Sequence, residues 1–128
     1  MKKVYIAVLF VGILLSACSG NASDNDAELA TEEYIKALAN KDKALITNLS
    51  CKEWEESAIL EIDGLLSVDA EVNNLECFVT NKEGDNTLVV CNGSLDLTYN
   101  DEIRAIDLSR RTYYLQENNG QWQICEYK

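Results

Sequence analysis

Five cysteines, no histidine and an excess of carboxylates set the chemistry open to this 128-residue chain. Cys18 stands at the end of a short apolar run, in Leu15-Ser16-Ala17-Cys18, whereas Cys51, Cys77, Cys91 and Cys125 are spread through the more polar remainder. An even set of four in a small exported domain points to disulfides, with three connectivities open. No CxxC spacing and no His accompanies them, so the pattern disfavours a zinc site or a thioredoxin-like redox pair, and neither a metal nor a cofactor is expected. Proton transfer would fall to carboxylates and phenols, of which Asp96, Asp107, Tyr99, Tyr113 and Tyr114 each lie within a strand-like segment rather than a turn. Ordinary packing or solvation is the stronger role for each: alternation turns Asp96 and Asp107 outward and sends Tyr113 and Tyr114 to opposite faces. No catalytic residue is therefore assigned. Arg104, Arg110 and Arg111 are the one basic cluster in the domain and could contact an anionic ligand or an acidic partner segment. Pairing with neighbouring carboxylates competes with that role, and Arg111 is expected opposite Glu126.

The elements that would position these groups begin with the N-terminus. Lys2 and Lys3 precede an uncharged apolar run of twelve residues, Val4 to Leu15. At about 1.5 Å per residue the run cannot cross roughly 30 Å of hydrocarbon, so it is expected to be an export signal rather than a membrane span. Small Ser16 and Ala17 directly before Cys18 resemble the lipobox of bacterial lipoproteins. That resemblance implies that residues 1–17 are removed and that Cys18 becomes an N-terminus carrying fatty acyl chains such as palmitate. Two or three such chains hold a soluble domain at a membrane, where one does so only marginally. Residues 18–26 are small and polar, a lipidated flexible tether. Ser19 after the lipid-bearing Cys implies the outer membrane of a two-membrane cell, or the external face of the cell membrane where there is one.

Residues 27–128 suffice for one domain with a single core. Loss of Lys2 and Lys3 leaves 9 basic against 22 acidic side chains, a net charge of 9 − 22 = −13. Such a surface repels phosphate backbones, which makes nucleic acid an unsuitable partner.

Apolar or small residues at Ala27, Ala30, Tyr34, Ile35 and Leu38 recur at three and four, predicting an amphipathic helix over 26–39 that Ser23, Asp24 or Asp26 can cap. A helical turn follows over 43–48. Ser50-Cys51-Lys52-Glu53 matches a capping box and predicts a second long helix, with Trp54, Ala58, Ile59, Ile62 and Leu65 on one side. Beyond Val68 the period changes to two. Four strands are predicted, over 72–81, 87–99, 103–116 and 121–127.

Centring the first hairpin on Gly84 sets Cys77 opposite Cys91, within bonding range. Cys51 is then left to Cys125, although Cys125 alternates away from Trp122 and Ile124 and its facing stays open.

Helices followed by a bent antiparallel meander make an α+β order, with the helices on one face of a four-stranded sheet. The opening helix with Tyr34-Ile35-Lys36-Ala37-Leu38 closing at Asn40-Lys41-Asp42, and the terminal hairpin Tyr113-Tyr114-Leu115-Gln116 with Gly120-Gln121-Trp122-Gln123-Ile124-Cys125, resemble the nuclear-transport-factor-2-like (cystatin-like) cone. Leu49-Ser50-Cys51 with Trp54, and Leu88-Val89-Val90-Cys91-Asn92-Gly93, resemble a four-Cys branch of lipoproteins with that fold. The resemblance implies a space between sheet and helices, lined here by Trp54, Ile59, Ile62, Leu95 and Leu97, which members use for binding, catalysis or dimer assembly. The expected function is a membrane-anchored extracytoplasmic lipoprotein of the cell envelope that binds a small ligand or another envelope protein. An Asp/Tyr proton-transfer enzyme of isomerase or dehydratase type is the alternative, and a homodimer a further one.

Overall fold

Ser23 starts the helical layer. The computed structural model describes residues 23–128; the expected export signal, Cys18 and the first part of the expected tether lie outside the described residues. The Ser23 side chain accepts from the Asp26 amide while the Asp26 carboxylate accepts from the Ser23 amide, a complete capping box for α1 (Asp24–Asn40). The first three helical residues, 24–26, thus lie inside the stretch assigned to the tether, because that box satisfies backbone donors that would otherwise face water. Its inner face buries Ala27, Thr31, Tyr34, Ile35 and Leu38. Lys41, left-handed at φ 57°, ends it, and the Lys41 ammonium donates to the Val68 carbonyl at 2.6 Å.

Asp42 caps the short α2 (Lys43–Asn48) through the Leu45 amide. The next helix, α3 (Glu55–Gly64), departs from the sequence expectation at its start. Its N-cap is Trp54, with no side-chain cap, and the Ser50 hydroxyl turns back to the Ile46 carbonyl at 2.6 Å. The cause is tertiary: Cys51 donates to the Ile124 carbonyl and Ile124 to the Leu49 carbonyl, so 49–51 is held against the last strand and cannot open a helix.

The sheet has five strands: β1 (Asp69–Glu83), β2 (Asn86–Tyr99), β3 (Glu102–Asp107), β4 (Thr112–Asn118) and β5 (Gln121–Tyr127). Among the described residues the five strands pair antiparallel, in the order β1-β2-β4-β5, with β3 on β2 alone. The predicted third strand is two strands because β2 changes partner along its length. Thr87–Val90 pair with β4 and Ser94–Tyr99 with β3. Between them a 3-10 turn, Leu108–Arg110, drops Leu108 into the core, fully buried, with Asp107 as its cap. β1 bends where its register slips between Asn73 and Glu76, and Gly93 of β2 lies there at φ 106°.

Tyr34, Tyr113, Ile35, Leu38, Ile46, Ile62, Leu95, Leu115 and Ile124 form the core between the helices and the concave face of the sheet. Each buried aliphatic side chain contributes about 1.5–3 kcal/mol relative to exposure. Disulfides join Cys77 to Cys91, side by side on β1 and β2, and Cys51 to Cys125, tying the α3 approach to β5. In the chain-entropy view these closures stabilise by about 3 and 4 kcal/mol.

Candidate functional site

Two places on the concave side gather polar chemistry. The first is a cluster where α3 meets β4 and β5. Trp54 Nε1 donates to the Tyr34 hydroxyl at 2.9 Å, and Trp54 packs edge-on against Tyr127, which in turn lies against Tyr113. The Arg111 guanidinium sits 4.4 Å above the Tyr127 ring and pairs with Glu61 at 3.1 Å, both side chains less than a fifth exposed. The Tyr127 hydroxyl also donates to Glu61, at 3.2 Å. A desolvated carboxylate thus lies beside phenols, the convergence proton transfer would require. Burial pushes the Tyr113 phenol up to about 12, against smaller opposing pulls from Arg111, and raises Tyr34 as well. Yet the Tyr113 hydroxyl is sealed in the core and, among the described residues, has no hydrogen-bond partner.

Sequence reasoning placed Arg111 opposite Glu126; its partner is Glu61, while Glu126 lies opposite Tyr114 and pairs with Lys128. The residue missed was Glu61 itself. Its signal was a carboxylate three positions after buried Ala58 and directly before buried Ile62, on the packed side of α3.

The second place is open. The β2–β3 hairpin runs past the end of the helical layer, leaving an uncovered stretch of concave face. There Ser67, Val68, Leu97, Tyr99, Glu102 and Arg104 line a groove of about 370 Å³. Leu97 lies opposite Arg104 and Tyr99 opposite Glu102, so all four side chains share one face of the hairpin. Among the described residues Arg104 has no carboxylate within ion-pair distance.

The three arginines therefore do not form one strip. Arg104 faces this groove, while Arg110 and Arg111 line a separate depression beside Ala105, Ile106 and Asp107. Asp107 is exposed and occupied by the Ser109 amide and hydroxyl, whose hydrogen bonds hold its carboxyl below the usual range. Asp96 is half-buried on the outer face and accepts from Asn73 at 2.9 Å. Tyr114 lies on the outer face under Lys128, and Tyr99 is 57% exposed. Of the side chains expected to line a cavity, Ile62 and Leu95 are core, while Trp54, Ile59 and Leu97 are packed at its margin. Cys51 and Cys125 lie close to Glu53, but their sulfurs are bonded to each other and offer no thiolate to a metal.

No family model matches the chain. Among solved structures, TraH, a candidate transfer protein of the Gram-positive conjugative plasmid pIP501, superposes with a TM-score of 0.66 at 11% identity, over 84% of this chain and 94% of that one. An NTF2-like protein of unknown function from Pseudomonas putida KT2440 superposes at 0.54 with 13% identity, covering 81% of this chain and 82% of its own. The fold is nuclear-transport-factor-2-like. In sequence, the chain is 27% identical over 127 residues to YciB of Bacillus subtilis (strain 168), named as a candidate L,D-transpeptidase; the match covers 94% of this chain and 60% of YciB. The chain thus spans about three-fifths of that relative's length. Within the nuclear-transport-factor-2-like frame, the two disulfides suit an oxidising, extracytoplasmic environment. No helix of the described residues is long and apolar enough to cross a membrane.

Proposed function

We propose that this chain is a lipoprotein held to the outer face of a membrane through an acylated Cys18, and that its domain binds a small anionic ligand, or an acidic segment of another envelope protein, in the Arg104 groove. The observation that carries this is the Arg104 guanidinium, without an ion-pair partner among the described residues, beside the apolar walls of Val68, Leu97 and Tyr99, on a chain of net charge −11. Apolar walls with one well-placed charge are the usual composition of a binding site. The two disulfides support an extracytoplasmic setting. The likeness to YciB does not bring transpeptidation with it, because at 27% identity the chain spans about three-fifths of that relative's length.

Proton-transfer catalysis at Glu61, Tyr127 and Tyr113 stands second. The convergence of those groups favours it, and the full burial of Tyr113 weighs against it, since a substrate would have to displace core packing.

Native mass spectrometry of the full chain purified in detergent tests the binding role. A retained small molecule or peptide that is lost on Arg104→Ala, with the melting temperature unchanged, is the expected result. Ligand-free spectra from repeated preparations, or equal retention by the variant, would overturn it. Cys18→Ser tests the anchor separately: unaltered processing, mass and detergent partitioning would remove it.

A further inference from the structure

The strand edges of this sheet are not treated alike. Along the outer edge of β1, the Cys77 and Val79 amides donate to Glu32 and Glu28 of α1. The outer edge of β5 is bridged to Ser50 and its neighbours. Among the described residues β3 pairs only with β2, so its other side offers a ladder over Glu102–Asp107 with no described partner. Exposed edges are ordinarily blunted by short length, charged side chains, Pro or a covering element. This short edge does carry charges, but Glu102 and Arg104 are of opposite sign and flank Ile103, at 71% the most exposed large apolar side chain among the described residues.

From this edge we infer that two copies of the chain join through β3, antiparallel, with Ile103 opposite its own counterpart. In that register Glu102 of each copy lies opposite Arg104 of the other, giving two ion pairs on the concave side and an Ile–Ile contact on the convex side. The tripeptide Glu102-Ile103-Arg104 is thus complementary to itself when reversed. Centring on Arg104 would oppose two guanidinium groups, and centring on Ala105 would set Ile103 against Asp107. Registers further along carry Ile103 past the end of the partner strand. A second copy is therefore the occupant this edge fits, through an isologous contact. The Arg104 fork has donors for both a carboxylate across the edge and a ligand in the groove, and cross-linking through Ile103, which lies on the opposite face from that groove, reads the edge apart from the binding role.

Oxidative cross-linking of the full chain in detergent tests the register, using Ile103→Cys and, as control, Ala105→Cys on the same strand. Only the residue opposite itself has a partner thiol within bonding distance. Rapid disulfide-linked dimer from Ile103→Cys, with little from Ala105→Cys, is expected. Sedimentation adds a charge test: Glu102→Arg and Arg104→Glu should each weaken the dimer about tenfold, and the double swap should restore it. Equal cross-linking at both positions, a wild-type chain monomeric at all concentrations, or a double swap as weak as the singles would overturn the inference.

Discussion

The backbone N–H of Val79 donates to the Glu28 carboxylate at 2.9 Å, fixing the outer edge of β1 to a side chain of α1 fifty-one residues earlier. Glu32 does the same for the Cys77 amide at 3.3 Å. Hydrogen bonds to a charged acceptor are worth about 1.5–3 kcal/mol. Glu28→Ala should therefore lower unfolding free energy by about 2 kcal/mol, measured in urea. The Glu28→Ala/Glu32→Ala double variant should also scatter light as the freed edge recruits other chains.

Two buried tyrosines should respond in opposite directions to loss of the hydroxyl. The Tyr34 oxygen accepts from Trp54, whereas the Tyr113 oxygen has no partner among the described residues. Tyr34→Phe strands the indole N–H and should cost about 1 kcal/mol; Tyr113→Phe removes an unsatisfied group and should be neutral or stabilising by up to about 1 kcal/mol. Thermal unfolding of both variants decides the matter, and a destabilised Tyr113→Phe would show that its hydroxyl is bonded.

Alkaline pH should destabilise the fold through the same phenol. Because burial raises Tyr113 from 10.0 to about 12, its neutral form is favoured in the folded state. The resulting stability is fully present below pH 10 and falls as pH rises from 10 towards 12, where the unfolded chain has released a proton that the folded chain retains. Urea midpoints across that window should decline, and less steeply in Tyr113→Phe.

Glu61 and Arg111 should behave as a coupled pair. With both side chains less than a fifth exposed, removing one leaves the other poorly solvated. Glu61→Leu or Arg111→Met alone should cost about 2–3 kcal/mol, and the double variant less than their total. A double-mutant cycle showing simple additivity would place the pair in effectively aqueous surroundings.

Gly93→Ala should be among the most damaging single changes. An added Cβ would stand 2.5 Å from the Asn73 carbonyl and 2.7 Å from that of Asn74, on a backbone at φ 106° that L side chains rarely adopt. A loss of about 3 kcal/mol or failure to accumulate is expected, measured by denaturation or expression yield.

The helices-then-sheet order was legible because periodicities of 3.6 and 2 are local properties, and Ser23 with Asp26 announces α1 within four residues. What escaped depends on distant contacts. Ser50 carries a cap-like spacing, but Ile124 holds the backbone of Leu49 and Cys51 on either side of it and the hydroxyl is spent on Ile46. The break at Leu108–Arg110 exists because β2 exchanges one neighbour for another, which no window on 103–116 reveals. Even the Cys77–Cys91 register has a hidden step. Glu83 lies opposite Asn86, so the turn is centred beyond Gly84 and by itself would set Cys77 against Asn92. The irregularity between Val79 and Asn81 takes up one residue and restores Cys91. Glu61 acquires its meaning only where Arg111 and Tyr127, 50 and 66 positions away, arrive beside it.

The acidic side chains that α1 lays along β1 also limit growth. A sheet with two vacant borders can be extended at both ends without limit, into a ribbon or fibre; one with a single vacant border is finished once a twin has docked. On the proposed β3 pairing, an edge of β1 engaged by Glu28 and Glu32 would favour a closed pair over a polymer.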